Sequence, residues 1–292
     1  MKSFSEVRVT ECPRDAMQGL AGFVPTELKV RYLNALLKVG FNRLDFGSFV
    51  SPKAIPQMRD TSQVLELLDH DSGTELIAIV ANLRGAQEAC SHKRIDFLGY
   101  PFSISETFQI RNTNMNVEGA TNELLKIQEI SEAQSKRVIV YLSMAFGNPY
   151  GDPYHPEMVM EQMVHLKSLG FEHFALADTV GIATAEDVSH LVSLVSNSFQ
   201  GIDFGVHLHC KPVNWQPKLA AAYQAGCSNF DVAIGGYGGC PMAADALVGN
   251  LSTEWLVQYF ESIHVNLNIN LTALAEAQAL SRQIFSNEQL MA

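Results

Sequence analysis

The stretch VIVYLSMAFGNPYGDPYHPEMVMEQMVHLKSLGFEHFALAD, residues 138–178, contains the unit from which the rest of the chain can be read. Val138–Met144 is a short β-branched and apolar run of strand length. Pro156 then opens a segment in which Met158, Val159, Met163, Leu166 and Leu169 recur at helical spacing, the stripe of an ordinary core-facing helix. Gly170 closes that helix, and His173–Asp178 is a second strand.

The same alternation extends in both directions. Upstream strands are predicted at Val7–Cys12, Arg43–Phe49, Glu75–Ala81 and Ile95–Gly99, and downstream ones at Phe204–His209 and Phe230–Ile234. Helical patterns fall between them at Pro25–Val39, Met58–Leu68, Glu123–Ser135, Ala185–Phe199, Gln216–Ala225 and Thr253–Ser262. Pro25 with Thr26 and Glu27 marks a helix start, and Gly40 and Gly226 lie past helix ends. Eight uninterrupted β-then-α units predict an α/β fold, a single (β/α)8 TIM barrel, rather than an open doubly wound sheet. Leu271–Ser286 is an extra C-terminal helix, outside the barrel or across one end. No linker, charge block or low-complexity segment divides the chain, so residues 1–292 read as one catalytic domain.

The bulk numbers agree. At 47% hydrophobic and 17% charged, the chain has ample core without disulfides. A net charge of −11 argues against a nucleic-acid or anionic membrane surface, leaving a phosphorylated small molecule possible through a few local cations. Five cysteines without a C-x-x-C pair fit free thiols in a reducing compartment. The N-terminus lacks a signal or transit pattern, no stretch reaches the length of a membrane span, and SNEQLMA carries no peroxisomal address. The expected location is cytoplasmic.

A barrel places its reactive side chains at the carboxyl ends of its strands. In the seventh strand, period two sets Phe204, Val206 and Leu208 toward the helices and Gly205, His207 and His209 inward. In the second, Leu44 and Phe46 face out while Asp45 and Gly47 face in. The first strand ends in Pro13-Arg14-Asp15, the sixth in Asp178-Thr179, and the eighth runs into Gly235-Gly236-Tyr237-Gly238-Gly239-Cys240-Pro241. Each alone is ordinary: a strand-end Asp anchors turns, His-x-His can be a polar core layer, and a free Cys is usually core. Together they aim ionisable groups at one volume, costly to bury without a metal or ligand. Asp, two His and an amide or carbonyl oxygen suit a divalent cation with open positions. His70, His92, His165 and His190 lie in or at the ends of outer helices and are expected to be solvated and without a role.

These blocks resemble the 3-hydroxy-3-methylglutaryl-CoA lyase family over nearly the whole chain. Pro13-Arg14-Asp15-Ala16-Met17-Gln18, Ser48-Phe49-Val50-Ser51-Pro52-Lys53 with Pro56-Gln57-Met58, and Asp178-Thr179-Val180-Gly181 are similar to its motifs and stand in its order. His207-Leu208-His209, Gly238-Gly239-Cys240-Pro241 and Gly249-Asn250-Leu251-Ser252-Thr253-Glu254 complete the series. The Ser-Phe-Val-Ser-Pro-Lys and Gly-Gly-Cys-Pro blocks are specific, whereas His-x-His is shared by a wider superfamily. The resemblance implies Asp15, His207, His209 and Asn250 as ligands of Mg2+ or Mn2+. It implies Arg14 as the group that stabilises a developing enolate, and Cys240 as the catalytic thiol on a mobile glycine loop. Gln18, Ser48, Asp178 and Lys53 would contact substrate, with Asp45 and His207 as further catalytic groups. The sequence departs from the family pattern at Asp45 (usually Glu), at Gly19-Leu20-Ala21, at Cys210 to Trp215 after the second histidine, and in a longer Cys240-to-Asn250 interval.

The implied reaction is retro-Claisen cleavage of 3-hydroxy-3-methylglutaryl-CoA to acetyl-CoA and acetoacetate. The implied substrate is an acyl-CoA, with no organic cofactor beyond that CoA moiety, in a homo-oligomer of dimer size or larger. The rival readings are a 4-hydroxy-2-oxo acid aldolase, a citramalate-type synthase, or a barrel that binds acyl-CoA without turnover.

Overall fold

The computed structural model describes residues 6–69, 73–239 and 248–286. Eight parallel strands pair in chain order, and the first also pairs with the last, closing a barrel. They are β1 (Arg8–Glu11), β2 (Arg43–Ser48), β3 (Glu75–Ile79), β4 (Phe97–Ser103), β5 (Arg137–Ser143), β6 (His173–Asp178), β7 (Asp203–Leu208) and β8 (Asn229–Val232). The helices around them are α1 (Pro13–Gln18), α2 (Thr26–Leu37), α3 (Thr61–Leu67), α4 (Leu83–Ser91), α5 (Glu106–Thr113) and α6 (Val117–Ala133). They continue with α7 (Pro156–Ser168), α8 (Ala185–Ser198), α9 (Trp215–Gln224), α10 (Thr253–Ser262) and α11 (Leu271–Phe285). Among the described residues, no helix is long and apolar enough to cross a membrane.

All eight expected strands are present. The sequence reading gives no range for three of the helices, α1, α4 and α5. The first is a six-residue turn entered directly from β1 through Pro13, too short to show a period. The other two declare themselves through caps: Asn82 accepts from Gly85 N–H, and Ser105 from Phe108 N–H.

The barrel interior is two-sided. β3 to β6 fill it with Ile77, Ile79, Phe97, Ile139 and Ala175, an apolar cluster separate from the larger helix–sheet core. The remaining strands turn polar groups inward, among them Asp45, His207 and Asp231. At the amino-terminal end, Asp203 closes the barrel by accepting from Arg8, Arg43, Asn229 and His173. Arg43 and Arg137 also lie over the Phe97 ring, 4.5 and 3.8 Å from its centroid. That end is an ion-paired plug, so the open volume lies at the other.

A β-bulge between Asp45 and Gly47 corrects the reading of β2. The alternation breaks there, and Gly47 faces the helix layer rather than the interior; a Cβ on it would lie 2.6 Å from Thr61 Cγ2 at the start of α3.

Candidate active site

Because α1 starts as soon as β1 ends, Arg14, Asp15 and Gln18 are delivered to the rim as one unit, with Arg14 and Gln18 four apart on the same face. The buried Arg14 guanidinium grips Asp45 with two nitrogens, Nη2 to Oδ2 at 2.6 Å and Nε to Oδ2 at 3.0 Å. Its Nη1 donates to Asp15 Oδ1 at 3.2 Å and Gln18 Oε1 at 2.8 Å. Burial pushes Asp45 up to about 6 even against the Arg14 charge, which still leaves it ionised at neutral pH. Burial also acts to raise Asp15, but the charges of Arg14, His207 and His209 and the Asn250 hydrogen bond outweigh it and hold the carboxylate below its ordinary range.

Asp15, His207 and His209 bring one ligand atom each to within 4.8 Å of the others, all buried. His209 Nδ1 lies 2.8 Å from the Thr179 carbonyl, which fixes that nitrogen as the N–H donor. Its Nε2 therefore carries the lone pair, and it is buried with no hydrogen-bond partner among the described residues. An orphaned basic nitrogen beside a carboxylate and a second imidazole fits a divalent cation. His207 Nδ1 sits 3.2 Å from Asp231 Oδ2, the carboxylate–histidine support common behind metal ligands. Burial acts to lower both imidazoles. At His207 the Asp231 carboxylate reverses this and raises it, whereas at His209 the neighbouring His207 adds to burial and lowers it.

Asn250 completes the set from the segment after β8. A bridge to His209 and hydrogen bonds from Cys210 N–H to Gly249 O and from Leu251 N–H to Leu208 O wedge it beside β7. Its amide nitrogen donates to Asp15 Oδ2 at 2.7 Å and to the Tyr237 carbonyl at 2.8 Å, leaving its oxygen as the atom for a cation. Gly238, at φ +103°, presses on this pair: a Cβ there would lie 2.5 Å from Asn250 Nδ2 and 3.0 Å from Asp15 Oδ2.

The root of that glycine segment is held by carboxyl groups and by α11. Ile234 N–H donates to Glu11 Oε1, Thr253 Oγ1 to Glu11 Oε2, and Gly235 N–H to Glu254 Oε2. Phe285 stacks on Tyr237 at 4.1 Å, and Gln278 donates to Glu254. The C-terminal helix thus braces the site, beyond merely packing outside the barrel. Complete burial pushes Glu11 up to about 8, overcoming its hydrogen bonds. A raised carboxyl contributes stability that is whole below its unfolded value and declines as pH rises toward about 8. We expect Glu11→Gln to flatten the fall in melting temperature across that window; an unchanged slope would remove Glu11 as its source.

The remaining expected residues divide. Gln18 lines the central cavity, whereas Ser48 donates to the Ile79 carbonyl, 3.2 Å away, and is not among the lining residues. Lys53 is exposed on the loop after β2, next to Ala54 and Ile55, which line the rim. Asp178 departs most clearly from the reading. It alternates with Ala177 and so shares the helix-facing side with Leu176, where Oδ2 accepts from Lys218 Nζ at 2.7 Å and Oδ1 from Ala183 N–H at 3.2 Å. It anchors the β6 end and does not line the cavity. Cys240 and His70 lie outside the described residues. His165 and His190 are exposed as expected. His92 is half-buried and not solvated: its Nε2 is 3.3 Å from Ser62 Oγ and its ring lies against Phe49.

The sequence reading missed Lys218. Its Nζ, fully buried, also donates to the carbonyl of His209 at 3.0 Å, tying α9 to the histidine strand. A lone lysine in the apolar face of α9 was the available signal. Lys218→Met strands Asp178 without a partner and should cost about 3–5 kcal/mol, read by urea unfolding. Lys218→Met with Asp178→Leu should recover part of the loss; no recovery would mean the ion pair is not the cause.

The cavity, of about 230 Å³, is lined by the polar groups Arg14, Asp15, His207 and His209 and by apolar ones that include Val50, Ile79, Phe108 and Tyr141. Against this geometry, the HMGL-like family model matches residues 8–280. The chain belongs to the HMGL-like family. Relatives in the family include the mitochondrial hydroxymethylglutaryl-CoA lyase of Mus musculus, 32% identical over 96% of this chain and 88% of that protein. The hydroxymethylglutaryl-CoA lyase of Bacillus subtilis is 29% identical over 91% and 88%. A structure of an HMG-CoA lyase from Acinetobacter baumannii in complex with coenzyme A and 3-methylmalate superposes with a TM-score of 0.91, at 31% identity, covering 98% of this chain and 94% of that one. This HMGL-like chain therefore shares its fold with that structure over nearly its whole length.

Proposed function

We propose that this HMGL-like chain is a carbon–carbon lyase cleaving 3-hydroxy-3-methylglutaryl-CoA to acetyl-CoA and acetoacetate, in one catalytic unit spanning residues 1–292. The observation that carries the reading is the Asp15–His207–His209 set beside Arg14 at the barrel mouth. The names of its relatives supply the substrate.

Asp15, His207, His209 and the Asn250 oxygen would hold Mg2+ or Mn2+. When bound, the cation supplies Lewis acidity toward the tertiary hydroxyl and an adjacent substrate oxygen. Arg14 uses one N–H on Nε, two on Nη1 and one on Nη2 in its bonds to Asp45, Asp15 and Gln18, which leaves one Nη2 N–H for substrate. Locked by two carboxylates, that donor is preorganised for the enolate oxygen that forms as C2–C3 breaks. A cavity of about 230 Å³ is below the ~300–1,000 Å³ of sites that enclose a drug-sized ligand, so it takes the acyl head. The CoA portion would then lie across the rim, with Lys53 at hand for its phosphates. The chain would act as a homo-oligomer in the cytoplasm, checked by light scattering and fractionation.

Cys240 is the proton donor in this reading. Gly235, Gly236, Gly238 and Gly239, all at positive φ, give the preceding segment a backbone that other residues would strain. Cys240→Ala should lose about 10²–10⁴-fold in kcat with metal affinity nearly unchanged, and Cys240→Ser should be almost as poor. Early melting at a normal rate would make the thiol structural.

The activity is tested by incubating the protein with Mg2+ or Mn2+ and a panel of acyl-CoA esters and 4-hydroxy-2-oxo acids. Acetoacetate from 3-hydroxy-3-methylglutaryl-CoA alone is expected. Pyruvate from the hydroxy-oxo acids would point to an aldolase, and binding without any product to a non-catalytic barrel.

A further inference from the structure

A second group of ligand atoms lies deeper in the barrel. Cys12 at the end of β1, His207 on β7 and Asp231 on β8 each place one ligand atom within 4.8 Å of the other two, and all three are buried. Neither Cys12 nor Asp231 touches substrate in the proposed reaction. Asp231 also borders a small internal cavity with Thr10 and Tyr141.

The two groups differ in chemistry. Asp15, His207, His209 and an amide oxygen present hard and borderline donors, suited to Mg2+ or Mn2+. Cys12, His207 and Asp231 present sulfur, nitrogen and oxygen, a donor set for thiophilic ions such as Zn2+ or Cd2+. Tetrahedral bonds of about 2.0–2.3 Å place ligand atoms roughly 3.3–3.8 Å apart, so side-chain shifts of about 1 Å would close the group. Burial, with the negative charges of Asp231, Asp45 and Asp15, holds the Cys12 thiol well above its ordinary range, and those same charges favour a cation in place of its proton.

The groups also compete for one imidazole. His207 Nδ1 is the nitrogen near Asp231, at 3.2 Å. To serve the upper group, its proton stays on Nδ1 and the lone pair on Nε2. To serve the deeper group, the lone pair must be on Nδ1, and the proton then sits on Nε2, aimed at the upper position. We propose that Cys12, His207 and Asp231 form a second site, specific for a thiophilic divalent cation, whose filling silences the enzyme by taking His207 out of the upper set. Binding displaces the Cys12 S–H proton to solvent and forms a metal–thiolate bond, with no change in oxidation state.

The silencing clause rests on the proposed lyase activity, but the site does not, and the test separates them. Metal-free protein is titrated with Cd2+ while the ultraviolet thiolate-to-cadmium charge-transfer band is followed. Wild type should show the band at one equivalent, Cys240→Ser should keep it, and Cys12→Ser should lose it. Asp231→Asn should keep the band with Cd2+ affinity weakened by more than about 100-fold, since it removes a ligand rather than a group behind one. Zn2+ should inhibit acetoacetate formation in wild type and at least tenfold less in Cys12→Ser, whose uninhibited rate stays near wild type. A band that survives in Cys12→Ser, one lost in Cys240→Ser, or no band at all would overturn the site. Absence of lyase activity with the cadmium pattern intact would overturn only the proposed reaction.

Discussion

Asp15→Asn should abolish divalent-metal binding and turnover together. Asp15 is the carboxylate of the upper ligand set, and it also accepts from Arg14, Gln18 and Asn250. Substitutions behind a metal ligand already cost 10–100-fold, so losing the ligand itself should exceed about 100-fold in Mn2+ affinity. Asparagine keeps the shape but can no longer offer a charged oxygen, and its amide N–H groups would face either Asn250 Nδ2 or the Arg14 and Gln18 donors. Calorimetric titration with Mn2+ and a single-turnover assay on the same sample check the pairing. A variant that binds metal normally yet fails in turnover would move Asp15 from ligand to acid–base group.

Arg14→Gln should be nearly as damaging, with a different signature. Removing one preorganised donor to a developing oxyanion costs about 10²–10³-fold in kcat, while the metal ligands remain. The variant also strands Asp45, whose carboxylate depends on Arg14 for its charge. Stability should therefore fall by about 3–5 kcal/mol, as for any broken buried pair. Arg14→Gln with Asp45→Asn separates the effects: stability should recover in part and kcat should not. Recovery of both would make Arg14 a structural residue whose catalytic effect comes only through Asp45.

Period and polarity in the sequence were enough to reveal the barrel. Helix-forming stripes and β-branched runs recur eight times because parallel strands covered by helices are mostly apolar. The same arithmetic brought Asp45, His207 and His209 inward, and the structure joins them to Arg14, Asp15 and Asn250. Asp231 obeys that alternation too, but it sits mid-strand, where attention to strand ends overlooked it. Asp178 shows the opposite error. It stands at a strand end, yet its parity turns it to Lys218 on α9, forty residues later in the chain. Nothing local in the sequence says how far α9 lies from the end of β6, so that ion pair was not legible. The bulge in β2 was equally hidden, because Gly47 reverses its face for a packing reason, the nearness of Thr61.

The most direct test of the account is one assay on one sample. The protein is stripped with chelator, dialysed free of it, and assayed for acetoacetate from 3-hydroxy-3-methylglutaryl-CoA before and after one equivalent of Mn2+ is restored. The account predicts no turnover in the stripped sample and its return with Mn2+ at one ion per chain. Full turnover in rigorously metal-free protein, or none after Mn2+ is bound, would contradict it.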